Sequence, residues 1–425
     1  MKYIFILLLN ISLASALTLE EAIKEAMNNN PAIIQLKAEE DASRARVEQA
    51  KSAFYPSFSF GFTYSRVSAV PTFPGGIHFG YPDTYTGNFE LQYPIFTWGK
   101  RGNSLKLSHI GVASSRVNLE IKEFEIRHSV KRAFYGLLLA KRGLELAKDA
   151  LGRAQEHLRS VIDQYKAGRV TDLDTLKARV AVTKARAEVL KASHKMESAK
   201  EGLNLLLGKP PKSEVEPEGK LEFSPVDVPL EKCINEALKR RKELKSVNLA
   251  KRSVALSKEI TKATLRPSLG LMVRYQYEKP FQFFENRWGR LLSAGISLSL
   301  PIFDGFSTQG KLMELSAKER SLTAQEKALG DMIVYEVSQS YNDLEEAQEV
   351  LEVQREMLNQ TRRMLRMARE QYEAGFLSEL EYEDAEFALT QAEFQWISTI
   401  YNAIVARSAL EKAIGVKSLE DLEVK

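Results

Sequence analysis

Two stretches of the chain alternate apolar and polar residues one by one. In the first, Phe58, Phe60, Phe62 and Tyr64 are interleaved with Ser57, Ser59, Gly61, Thr63 and Ser65; then Tyr85, Phe89, Leu91 and Tyr93 are interleaved with Thr86, Asn88, Glu90 and Gln92. In the second, Leu269, Leu271, Val273, Tyr275 and Tyr277 alternate with Ser268, Gly270, Arg274, Gln276 and Glu278, and Leu292, Ala294, Ile296, Leu298 and Leu300 with Ser293, Gly295, Ser297 and Ser299. A period of two predicts strands with one apolar and one polar face, at about 57–66, 85–94, 268–278 and 291–300. Nine to eleven residues is about the length that crosses a bilayer when tilted, and a membrane barrel presents apolar residues to lipid and small or polar ones to its lumen. A soluble antiparallel sheet on a core would alternate in the same way. Four such strands in two hairpins favour the barrel, with Phe58, Phe60, Phe62, Tyr64, Phe89, Leu91, Leu269, Leu271, Val273, Tyr275, Ile296 and Leu298 as lipid-facing candidates. The loops support this: Phe73, His78, Phe79 and Tyr81 in one, and Phe281, Phe283, Phe284 and Trp288 in the other, suit a membrane interface. Four strands cannot close a membrane barrel, so this reading requires the barrel to be shared between subunits.

The rest of the chain has a helical pattern. No proline lies between Pro94 and Pro210 or after Pro301. Proline costs about 3 kcal/mol inside a helix, so these stretches permit very long ones. Helices are predicted over about 102–166 and 307–373, each reaching roughly 95 Å if straight. They end at Ala167-Gly168 and Ala374-Gly375, and the short turns that follow, Arg169-Val170-Thr171-Asp172 and Phe376-Leu377-Ser378-Glu379, stop one helix and restart another. The returning helices, about 173–207 and 379–414, carry seven-residue seams. One seam has Ala178, Ala185, Ala192, Ala199 and Leu206 beside Val182, Val189, Met196 and Leu203; the other has Ala385, Ala392, Thr399, Ala406 and Ala413 beside Leu389, Trp396, Ala403 and Leu410. So much alanine implies close helix approach. The helices alone favour a plain two-stranded coiled coil with no channel.

The chain is internally duplicated. Residues 19–26 align with 230–237 at an offset of 211, as does Pro56 with Pro267. Tyr93-Pro94-Ile95-Phe96 aligns with Leu300-Pro301-Ile302-Phe303 at 207, and Tyr165 to Gly168 with Tyr372 to Gly375 at the same offset. The expected organisation is a first repeat over 17–208, a proline-rich linker over 209–229, a second repeat over 230–415 and a tail over 416–425.

Composition narrows the class. The chain has 425 residues, a formal charge of +4 with basic and acidic residues interspersed, and a mean hydropathy of −0.27. These values argue against a polytopic helical membrane protein and a nucleic-acid partner. Cys233 stands alone, so no disulfide forms within the chain. Lys2, the apolar run Tyr3 to Leu13 and Ala14-Ser15-Ala16 follow the grammar of a secretory signal peptide cleaved after Ala16. The five histidines, His78, His109, His128, His157 and His194, have no metal-ligand spacing, and no nucleophile or phosphate-loop motif is present. No catalytic residue, cofactor or metal is expected.

Together these residues resemble the outer membrane factor family, the TolC-like efflux ducts. The matching phrases are Leu17-Thr18-Leu19-Glu20-Glu21-Ala22 with Asn30-Pro31, the prolines Pro56 and Pro267 ahead of the strands, and Leu298-Ser299-Leu300-Pro301-Ile302-Phe303-Asp304-Gly305. Tyr165-Lys166-Ala167-Gly168 and Tyr372-Glu373-Ala374-Gly375 are similar to the family's tip turns. The resemblance implies a mainly α fold with a β-barrel portion: a homotrimer whose twelve strands form one barrel in the outer membrane of a Gram-negative-type bacterium, continued into the periplasm by an α-helical barrel. It implies an exit duct for efflux or type I secretion, with a periplasmic adaptor and an inner-membrane pump of the RND, ABC or MFS type as partners. Adaptor docking falls on Gly168, Arg169, Val170, Thr171 and Asp172 and on Gly375, Phe376, Leu377, Ser378 and Glu379. The aperture falls on Glu381 and Asp384, with Asp174 and Tyr372 helping to hold it shut. Leu377 stands where the family carries a basic partner.

From the residues themselves, Glu381 and Asp384 are three apart and share a helix face. Three copies would ring an axis with carboxylates and select cations. A merely solvated acidic face is the alternative, since Glu373, Glu379, Glu383 and Glu386 crowd the same stretch. The rival for the whole chain is a soluble periplasmic coiled-coil scaffold without a channel, which explains the helices but not the strands.

Overall fold

The computed structural model describes residues 17–70, 74, 80–282 and 285–423. The leader and its Ala16 cleavage site, and the loop residues Phe73, His78, Phe79, Phe283 and Phe284, lie outside the described residues. The elements are α1 (Leu19–Asn29), α2 (Pro31–Ser52), β1 (Ser57–Arg66), β2 (Asp83–Phe96), α3 (Lys100–Lys166), α4 (Asp172–Leu207), α5 (Leu230–Arg240), α6 (Lys242–Ala263), β3 (Ser268–Lys279), β4 (Gly289–Ser299), α7 (Ser307–Glu373), α8 (Glu379–Ile414) and α9 (Glu420–Glu423). The duplication is visible in their lengths. α1 and α5 have 11 residues, α2 and α6 have 22, α3 and α7 have 67, and α4 and α8 have 36. No helix among the described residues is long and apolar enough to cross a membrane.

Contacts divide the chain into two compact units. Among the described residues, one comprises 17–37, 119–244 and 329–423. It is built on two cores that repeat each other residue for residue. In the first, Ala22 and Ala26 of α1 meet Ile126, Val130 and Leu137 of α3 and Leu203 and Leu207 of α4. In the second, Cys233 and Ala237 of α5 meet Ile333, Val337 and Leu344 of α7 and Leu410 and Ile414 of α8. Small residues on the short helix let the long helices approach, and the large side chains fill the space left.

Position-equivalent polar residues finish each core. Asn204 is fully buried, and its Nδ2 donates to the carbonyls of Pro211 (2.9 Å) and Ser213 (2.8 Å), fixing the start of the linker. The equivalent Glu411 is also fully buried. It accepts from Lys131 Nζ at 2.6 Å, Arg407 Nε at 3.3 Å and the Leu419 backbone N–H at 3.4 Å, fixing the chain after α8.

The other unit comprises 38–118 and 245–328. It holds one antiparallel sheet in the order β1-β2-β3-β4. The register puts Phe58 opposite Leu91, Phe60 opposite Phe89, Leu91 opposite Val273, Phe89 opposite Tyr275, Leu269 opposite Leu298 and Leu271 opposite Ile296. Directly opposite residues share a face, so the apolar positions of all four strands merge into one surface. Aromatic contacts such as Phe60 on Phe89, with centroids 4.8 Å apart, tie neighbouring strands together. The β2–β3 register shifts between Pro94 and Phe96, where proline has no N–H for the ladder. In the same unit α6 and α7 are joined by Lys251–Glu326 (2.7 Å) and Lys258–Glu319 (2.5 Å).

Candidate functional site at the hairpin turns and the sheet face

Both long helices end in the same way. After α3, Gly168 adopts φ +73°, its N–H donates to the Tyr165 carbonyl, and Arg169 N–H donates to the Gln164 carbonyl. After α7, Gly375 adopts φ +80°, its N–H donates to the Tyr372 carbonyl, and Phe376 N–H donates to the Gln371 carbonyl. A left-handed residue followed by a bond to the carbonyl five residues back is the Schellman stop, and it favours glycine because a Cβ is disfavoured there. Each returning helix starts with a capping box. Thr171 N–H and Oγ1 donate to Asp174 Oδ2 at 2.9 and 2.7 Å, and Ser378 N–H and Oγ donate to Glu381 Oε2 at 3.0 and 2.6 Å. These bonds hold the carboxyls of Asp174 and Glu381 below the usual range, the hydroxyl contributing most, so both remain ionised at neutral pH.

The docking candidates Gly168, Arg169, Thr171 and Asp172 are exposed and Val170 is half-buried. In the second turn Gly375, Phe376 and Ser378 are exposed, Phe376 to 86%, and Leu377 is half-buried, but Glu379 is buried. Glu381 and Asp384 are exposed and line one groove with Leu377, Met364 and Met367. Asp174 and Tyr372 are not hydrogen-bonded to each other: Asp174 is engaged with Thr171, and the Tyr372 hydroxyl is buried beside Glu379 and Gln164. Tyr372 instead stacks on Tyr382 at 5.1 Å between centroids.

Sequence reasoning did not single out what lies beneath that stack. His157 of α3 contacts both tyrosine rings, and its Nε2 is 2.5 Å from Glu379 Oε1, with both side chains more than nine-tenths buried. These partners are 222 positions apart, so no local spacing announces them. Of the other described histidines, His128 is buried against Ser408 Oγ at 2.9 Å, while His109 and His194 are exposed. No cluster of three or more His, Cys, Asp or Glu suited to a metal ion is found among the described residues.

The twelve strand residues expected to face lipid all lie on the merged apolar face. Phe58 is 77% exposed and Leu298 71%, whereas Leu91, Leu269, Leu271 and Val273 are half-buried. Among the described residues, the outer edges of β1 and β4 pair with no strand.

The model of the family described as "Outer membrane efflux protein" matches residues 22–209 and again 233–416. The chain belongs to this family. This efflux protein is 25% identical to the alkaline protease secretion protein AprF of Pseudomonas aeruginosa, over 97% of its own length and 87% of that protein. It is 22% identical to the cobalt-zinc-cadmium resistance protein CzcC of Cupriavidus metallidurans, over 95% and 91%. It shares its fold with CusC (TM-score 0.78, 17% identity, 94% and 92% covered) and with the outer membrane protein VceC of Vibrio cholerae (TM-score 0.77, 19% identity, 94% and 96% covered). The efflux protein is thus an outer-membrane channel-tunnel subunit that extends into the periplasm. The family is one of transport proteins rather than enzymes.

Proposed function

We propose that this subunit divides its work between its two repeats in one way: strands for the membrane, turns for the partner, α8 for the aperture. The observation that carries the reading is the four-stranded sheet, with one continuous apolar face and, among the described residues, two edges that pair with no strand. In lipid such edges must be paired, and β4 of one copy runs in the sense needed to meet β1 of the next. The twelve residues from Phe58 to Leu298 then face lipid. The alternating Ser, Thr, Gly and Asn positions face water.

At the other site, Glu381 and Asp384 from three copies constrict the lumen and favour cations. Glu381 suits this role because its cap keeps it charged and fixes its direction. Tyr372 acts through packing, and Asp174 fixes the first turn of α4. The turns Gly168 to Asp172 and Gly375 to Glu379 receive the adaptor. Relatives named for protease secretion and for metal resistance share the architecture, which supports a cargo chosen by the pump rather than by this chain. The chain carries out no catalysis in this scheme.

The test is conductance of the purified trimer in planar bilayers. Glu381→Ser with Asp384→Ser should raise single-channel conductance and lower cation selectivity. Unchanged values would remove both residues from the aperture. A protein found only in the soluble periplasmic fraction, without heat-modifiable trimers, would favour a scaffold instead.

A further inference from the structure

The polar face of the sheet carries few charges. β1 and β4 present serine, glycine and threonine there, with Leu291 at one end. The charged side chains on this face, among the described residues, are Glu90 of β2 and Arg274 and Glu278 of β3. Glu278 lies at the loop end of its strand. Glu90 and Arg274 sit directly opposite each other, in a row that runs Ser59, Glu90, Arg274, Ser293 across all four strands.

The pair is lopsided. Arg274 Nε and Nη2 donate to Glu90 Oε2 at 3.3 and 3.0 Å, and Gln92 Nε2 donates to Glu90 Oε1. The carboxylate is covered by these donors: the Glu90 side chain is 12% exposed, whereas that of Arg274 is 41% exposed. A guanidinium has five N–H donors, and those on Nη1 of Arg274 make no hydrogen bond among the described residues. Ser59 and Ser293, the neighbours in the row, are too small to cover it. Water therefore meets the cation rather than the anion.

We propose that Arg274, positioned by Glu90, forms an electropositive girdle in the lumen of the shared barrel that attracts the anionic groups of passing solutes, such as carboxylates, phosphates and sulfonates. The inference rests on the barrel reading above, which puts this face in water. Three copies bring three guanidinium groups to one level. Arginine keeps its charge at every working pH and offers a planar fork to such oxyanions, and low-dielectric walls focus its field along the passage. Serine and glycine around the row leave the way open. The sign is opposite to that of Glu381 and Asp384, so the membrane part and the turns act on solutes of opposite charge.

The experiment places a thiol beside the pair by Ser293→Cys in the full-length, detergent-solubilised trimer. It reads the rate of modification by methanethiosulfonate reagents carrying a sulfonate or a trimethylammonium group, each relative to its rate with a free thiol. Cys233 is fully buried and should stay unmodified. The sulfonate reagent should be favoured. Arg274→Gln should slow it and speed the cationic reagent, each about threefold for a unit charge roughly 6 Å away in water. Arg274→Lys should keep the wild-type order, which a purely structural role would not require. Glu90→Gln removes the countercharge and should strengthen the preference for the anion. Ser299→Cys lies six residues along β4, roughly 20 Å away and beyond the ~10 Å Debye length, and should respond to none of these changes. Equal relative rates at Ser293→Cys, or rates unmoved by Arg274→Gln, overturn the girdle. A Ser293→Cys thiol that neither reagent reaches in folded trimers overturns the barrel reading instead, because the polar face would then be packed rather than wet.

Discussion

Replacing Glu411 by glutamine tests the buried charge that closes the second core. Its side chain is 1% exposed, and it is the shared acceptor of Lys131, Arg407 and the Leu419 N–H. Glutamine keeps the shape and one acceptor oxygen but removes the charge. Lys131 and Arg407, with side chains only 19% and 16% exposed, then lose the anion they were desolvated against. Breaking a buried pair on one side costs 3–5 kcal/mol; residual access to water for both cations, and the second partner of Arg407 in Glu420, put the expected loss near the lower end, about 3 kcal/mol. The companion variant Lys131→Met with Glu411→Met removes both charges and should be destabilised by no more than about 2 kcal/mol, mainly from the orphaned Leu419 N–H. The assay is guanidinium unfolding of the detergent-solubilised protein at fixed concentration, followed by helical circular dichroism. A loss below about 1 kcal/mol for Glu411→Gln, as for a solvated pair, would refute the reasoning. So would a double variant less stable than the single.

Two further outcomes follow from the same structure. Burial, reinforced by Lys131 and Lys412, pushes the His128 imidazole from 6.5 down to about 4. The fold therefore prefers it neutral, and stability present above about pH 6.5 should be lost towards pH 4, by up to about 3 kcal/mol; His128→Gln should remove that part of the pH profile, and an unchanged acid limb would refute it. Leu298→Arg and Ile296→Arg place a charge on the apolar sheet face at a cost of about 2–4 kcal/mol near mid-membrane and should abolish outer-membrane trimers, whereas Ser297→Arg on the opposite face should assemble; equal behaviour of the two faces would contradict the assignment.

The features legible in the sequence were those with a period. Alternation exposed both faces of the sheet, because a strand turns each side chain by half a revolution and one chain neighbour suffices to reveal it. Proline-free length and Ala-Gly stops exposed the helices for the same local reason. The capping boxes Thr171–Asp174 and Ser378–Glu381 were also readable as three-residue spacings, although Asp174 and Glu381 first attract attention as aperture charges. What stayed hidden was pairwise and distant. His157 meets Glu379, His128 meets Ser408 and Lys131 meets Glu411 only because α3 and α8 lie side by side, and separations of 222 and 280 positions leave no imprint on a sequence window. The Tyr372–Tyr382 stack is hidden for the same reason, since it joins α7 to α8 across the turn.

The open edges of β1 and β4 carry a consequence for how the protein is made. A lone copy has no stable home in either phase: in lipid its rims expose bare peptide groups, and in water its face exposes a sheet of phenylalanine and leucine. Commitment to the bilayer must therefore be collective, with copies meeting before or while they enter. The yield of finished ducts should then depend steeply on supply of the chain, and surplus copies should accumulate as material for proteases and chaperones rather than as idle membrane protein.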